Sequence, residues 1–142
     1  MPNALDAVLG LHIAAGAAGL LLGPVVLRAE RRPPHRSTAG LAYAWSVAVV
    51  ALTALALVAA DPAALWWLAP VAVLTAGLAL LGRSAPGMRA YAHGQGGSYV
   101  ALVTAALVVS LDGWAALASW LAPTAVGLPL IELRVRHLAV GP

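Results

Sequence analysis

The positive charge of this chain sits in three short clusters, and their placement constrains the fold more than any motif does. Every basic residue is an arginine: Arg28, Arg31, Arg32 and Arg36, then Arg83 and Arg89, then Arg134 and Arg136. Long apolar stretches separate the clusters, and Asp6, Asp61 and Asp112 mark the alternate turning points. A chain that crosses a bilayer repeatedly, with its arginines on the cytoplasmic side, has this pattern. Composition agrees. Hydrophobic residues make up 62% and charged residues 9% of the 142 positions, with a mean hydropathy of +0.90, whereas a water-facing domain carries about 25% charge. A pI near 10.2 would point a soluble protein toward nucleic acid. Here arginines at helix ends are the orientation signal, the lipid bilayer is the expected partner and nucleic acid is not.

The sequence predicts an all-α integral membrane bundle, a single domain over 1–142, with about five transmembrane helices, the N-terminus outside and the C-terminus cytoplasmic. The expected spans are 5–27, 40–60, 62–81, 91–111 and 114–133. The first is acidic rather than basic on its N-terminal side and is followed by arginines, which is not the pattern of a cleavable signal peptide. Thr38 is the expected cap of the second helix. Asp61-Pro62 predicts a cap followed by a proline at the first helical position, with almost no loop. The last stretch contains Pro123 and Pro129. A bilayer-embedded helix tolerates prolines, and a fifth crossing returns Arg134 and Arg136 to the basic side.

Cysteine is absent, which excludes disulfides, thiolate metal sites and redox thiols, so histidine or carboxylate would have to hold any metal or haem. On the first helix His12, Gly16, Gly19 and Gly23 fall along one face. That face reads either as a small-residue packing seam with a hydrogen-bonding histidine or as a groove where a cofactor meets His12. On the fourth, His93, Gly97, Ala101 and Thr104 share a face. His35, His93 and His137 fall at the expected cytoplasmic boundary, where they could hold haem b or a divalent metal, or simply cap helices and meet phosphates. By helical rise His12 lies about 9 Å below the outer edge and His93 about 6 Å above the inner one. They cannot both ligate one haem, and His12 needs another partner, such as Asp112 or a serine or threonine. No nucleophile elbow, lysine-bearing phosphate loop or His-Glu-x-x-His pattern occurs.

Several segments together carry a resemblance: Leu11-His12-Ile13-Ala14-Ala15-Gly16 with Gly23-Pro24, His35-Arg36 with Gly40 and Tyr43, and His93 through Gly97-Ser98-Tyr99 to Ala105. Trp120-Leu121-Ala122-Pro123 and Gly127-Leu128-Pro129-Leu130-Ile131 add to it. In these the chain resembles a family of uncharacterised bacterial multi-pass membrane proteins (domain of unknown function 2306). The resemblance implies a multi-helix bundle of the bacterial cytoplasmic membrane with recurring histidines at His12, His35 and His93, and it supplies no activity.

Three functions compete on these features. One is an accessory or assembly subunit without catalysis of its own, paired with a membrane protein partner or with a second copy in a homo-oligomer. Another is a histidine-ligated haem or metal-binding redox protein like a b-type cytochrome, and the third is a small proton or solute channel using His12 and Asp112.

Overall fold

The computed structural model describes residues 3–29, 37–111 and 114–139, and among them every regular element is a helix. The order is α1 (Ala4–Ala29), α2 (Thr38–Ala60), α3 (Pro62–Leu65), α4 (Leu68–Ser84), α5 (Met88–Ser110) and α6 (Trp114–Ala139). Helices begin where a side chain satisfies the free N–H groups of the first turn. Asn3 and Asp6 do this reciprocally for α1, since the Asp6 N–H donates to Asn3 Oδ1 at 2.9 Å and the Asn3 N–H to Asp6 Oδ2 at 3.0 Å, the geometry of a capping box. The cap of α2 is Ser37 rather than Thr38, with Ser37 Oγ accepting from the Gly40 N–H at 2.9 Å. Asp61 caps α3 through the Ala64 N–H at 3.2 Å, with Pro62 next to it.

The expected span 62–81 is not one continuous helix. After four residues α3 gives way to a turn at Trp66 and Trp67, and α4 starts at Leu68. Pro70 accounts for the restart: it has no N–H to donate to the Trp66 carbonyl and its ring crowds that group, so it belongs in the first turn of a helix. Pro24, Pro123 and Pro129 interrupt nothing, since α1 and α6 run through them.

The five long helices alternate in direction. His12 meets Thr53 and Gly19 meets Ser46 between α1 and α2. Gly82 meets Gln95 and Leu78 meets Gly97 between α4 and α5, and Val100 meets Gly127 and Gly96 meets Ile131 between α5 and α6. Helix α5 sits in the middle, against α1, α4 and α6, and α2 packs on α1 and α4. This weave brings Arg28, Arg83, Arg89, Arg134 and Arg136 to one end and Asp6 and Asp61 to the other. Arg31, Arg32, Arg36, His35 and Asp112 lie outside the described residues.

The core is built mostly of small and medium side chains, with Tyr43 the largest that is fully buried. Val26, Tyr43, Val47 and Ala79 form one buried group, and Ala51, Ala54 and Ala72 another. Large apolar residues face outward instead, among them Leu21, Leu52, Leu80, Leu117 and Leu121. By length and composition α1 and α2 suffice to cross a membrane.

Candidate functional site

Two polar sites occupy opposite ends of the bundle. At the aspartate end, a cleft of about 340 Å³ lies between α1, α2, α4 and α5. Its walls are mostly apolar, mixing small residues such as Gly16, Ala51, Ala72 and Ala106 with branched ones such as Val47, Val50 and Leu102, and His12, Thr75 and Ser110 are its polar lining residues. The space exists because α1 presents glycine and alanine here. A methyl on Gly16 would come no nearer than 3.9 Å to Val50, whereas the next glycines along the same stripe are filled by Leu102 at Gly19 and by the Tyr99 ring at Gly23.

The hydrogen bonding of His12 fixes its tautomer. His12 Nδ1 lies 2.9 Å from Thr53 Oγ1, and that oxygen lies 2.6 Å from the Val49 carbonyl and 3.0 Å from the Val50 carbonyl. A hydroxyl has one proton, and carbonyl oxygens only accept. The Thr53 proton therefore goes back to its own helix, and its lone pair takes the Nδ1–H of His12. In the neutral imidazole this leaves Nε2 as a bare acceptor.

At the arginine end, His93 on α5 pairs with Glu132 on α6, Nε2 to Oε1 at 3.0 Å, and its Nδ1 donates to the Arg89 carbonyl at 2.8 Å. One proton serves the Nε2 contact, held either by the ring beside a carboxylate or by the carboxyl group beside a neutral ring. Both nitrogens are then engaged, so a metal or haem iron at His93 would have to displace Glu132. The two side chains are 37% and 40% exposed, which leaves the pair well solvated.

The candidate ligands do not converge. His12 and His93 stand at opposite ends: Gly19 packs on Leu102 and Gly23 on Tyr99, which puts His12 about 24 Å along the bundle from His93. His137 is exposed in the last turn of α6, about 140° around that helix from Glu132. Among the described residues no three His, Asp or Glu side chains gather as a metal site would require, and His35 is outside them. Of the glycines read as packing positions, Gly19 and Gly23 are buried at helix contacts, Gly97 lies against Leu78, and Gly16 faces the cleft.

Between the two ends, polar groups pair with one another. Ser98 Oγ donates to the Gln95 carbonyl at 2.9 Å and accepts from the fully buried Tyr43 hydroxyl at 2.8 Å. Tyr99 reaches the Leu20 carbonyl at 3.4 Å. That carbonyl lacks its helical partner because the residue four positions on is Pro24, and Gly23 makes room for the Tyr99 ring.

Sequence reasoning did not single out Thr53 or Glu132. Glu132 reads as part of a basic cluster until α5 and α6 are paired as a hairpin, which sets it opposite His93. Thr53 reads as one more small residue in an apolar helix. No family model, curated protein or solved structure matches the chain.

Proposed function

We propose that this chain is a five-span protein of the bacterial cytoplasmic membrane, N-terminus outside and C-terminus inside, acting as an accessory or assembly subunit without catalysis of its own. The observation that carries this is the division of the surface: arginines at one end, aspartates at the other, and large apolar side chains around the sides. Only 11% of the most apolar stretch of α1 and 28% of that of α2 is buried. A soluble core helix buries its apolar residues, because exposure costs about 25 cal/mol per Å²; in a bilayer that cost vanishes. The remaining helices complete the five crossings. Helix α4 alone spans about 25 Å, and the α3 segment extends it toward the thickness of a hydrocarbon core of about 30 Å.

The subunit role draws support from α6, which packs chiefly on α5 and leaves Leu117, Leu121, Val126 and Leu130 facing outward. Such a flank suits lipid, a membrane protein partner or a second copy of the chain. A haem or divalent metal on the cytoplasmic side is the weaker alternative, because the His93 nitrogens are already bonded.

A reporter fused after Pro142 should be active only in the cytoplasm, and crosslinking in native membranes should recover a stable partner or a homo-oligomer. Periplasmic reporter activity would overturn the topology. A species that remains monomeric and partnerless in native membranes would overturn the subunit role.

A further inference from the structure

We propose that the cleft beside His12 binds a lipid-soluble molecule with a hydroxylated aromatic ring, a phenol or hydroquinone, whose hydroxyl donates to His12 Nε2. Three observations define the ligand. Among the described residues the cleft wall carries no charge, which disfavours an anionic or cationic headgroup, since an unpaired charge there would lose its hydration. The Thr53 hydroxyl spends its proton on Val49 and Val50 and holds His12 as the Nδ1–H tautomer. The hydroxyls that line the cleft, Thr75 and Ser110, likewise donate to the Val71 and Ala106 carbonyls of their own helices, so the site offers a nitrogen acceptor where a quinone or ether would need a donor. The volume of about 340 Å³ exceeds the roughly 150 Å³ that holds a benzene-sized ring, leaving room for substituents or the first part of a tail.

The wall chemistry favours a flat ring over a flexible alcohol. Gly16, Ala51, Ala72 and Ala106 on four helices present only hydrogen or methyl groups and leave flat stretches of wall between branched side chains such as Val47, Val50 and Leu102, and a planar group that lies against them has little rotamer freedom to lose. A phenolic hydroxyl is also a stronger donor to imidazole than an aliphatic one. Only the ligand's route to the cleft rests on the membrane reading, and binding in detergent micelles is measured without it.

The test is calorimetric titration of the purified protein with 2-decylhydroquinone, its dimethyl ether, the matching quinone and 1-decanol. The hydroquinone should bind at least about tenfold more tightly than each of the other three, the scale of one hydrogen bond to a good acceptor. His12→Ala should lose that preference. Thr53→Val keeps the imidazole but frees its tautomer, and should narrow the hydroquinone-to-quinone ratio by improving quinone binding. Gly16→Leu should abolish binding by filling the cleft. If the ether, quinone or decanol binds as tightly as the hydroquinone, or if Thr53→Val leaves the ratio unchanged, the proposal fails. The ligand series on the unaltered protein decides the matter even if a variant does not fold.

Discussion

Pro24 and Tyr99 show how one missing hydrogen bond in one helix determines a contact with another. Proline removes the N–H that would have met the Leu20 carbonyl, and the Tyr99 hydroxyl takes its place from α5. Tyr99→Phe should therefore destabilise the protein by about 1 kcal/mol, the usual effect of leaving a carbonyl without its donor. Pro24→Ala restores the helical N–H, so Tyr99→Phe on that background should be nearly silent. Thermal unfolding of the four proteins in detergent measures the coupling, and additive effects would show that the hydroxyl does nothing for Leu20. The His93–Glu132 pair calls for the opposite expectation. With both side chains more than a third exposed, a double-mutant cycle of His93→Ala and Glu132→Ala should give a coupling below about 1 kcal/mol that weakens with salt. A larger, salt-insensitive coupling would mean that the pair is drier than its exposure indicates.

Where α4 crosses α5 the helices touch backbone to backbone. A Cβ on Gly82 would stand 2.5 Å from the Gln95 nitrogen, and one on Gly94 would run into the Gly82 backbone. Neither neighbour is a flexible side chain, so Gly82→Val or Gly94→Val should force the hairpin apart at a cost of about 3 kcal/mol or more. Gly77→Ala on the same α4 should be neutral or mildly stabilising, because nothing lies within 4 Å of its added methyl and alanine favours helix. Unfolding midpoints of the variants check both expectations, and equal midpoints would refute the crossing. Only part of this was legible beforehand. Asp61-Pro62 marks a helix start that the structure keeps, whereas Gly82 and Gly94 were not among the glycines read as packing positions. The break at Trp66 and Trp67 was hidden because apolar content continues through it and only the position of Pro70 betrays it. Ser37 takes the cap from Thr38 because neighbouring hydroxyls compete on backbone geometry that composition does not contain. The cleft was equally hidden, since an empty space between four helices leaves no mark on any single one.

At the scale of the whole molecule, the orientation can be tested on a background that needs no preparation, because the chain has no cysteine. In intact cells, a cysteine replacing Ser84 at the arginine end should resist a membrane-impermeant thiol reagent. One replacing Asn3 or Asp61 at the aspartate end should react. The reverse pattern would invert the topology, and uniform labelling would indicate that the chain does not span a membrane.

The tight contacts are not spread evenly along the bundle. Gly82 on Gly94, Gly23 on Tyr99 and Gly96 on Ile131 lie toward the arginine end, and Gly19 on Leu102 and Gly127 on Val100 lie midway, whereas the helices stand apart beside His12. The assembly is thus built like a clothes peg, clamped toward the arginine tip and slack at the aspartate one. A guest that reached His12 would enter by splaying the aspartate jaws, with the arginine tip left closed.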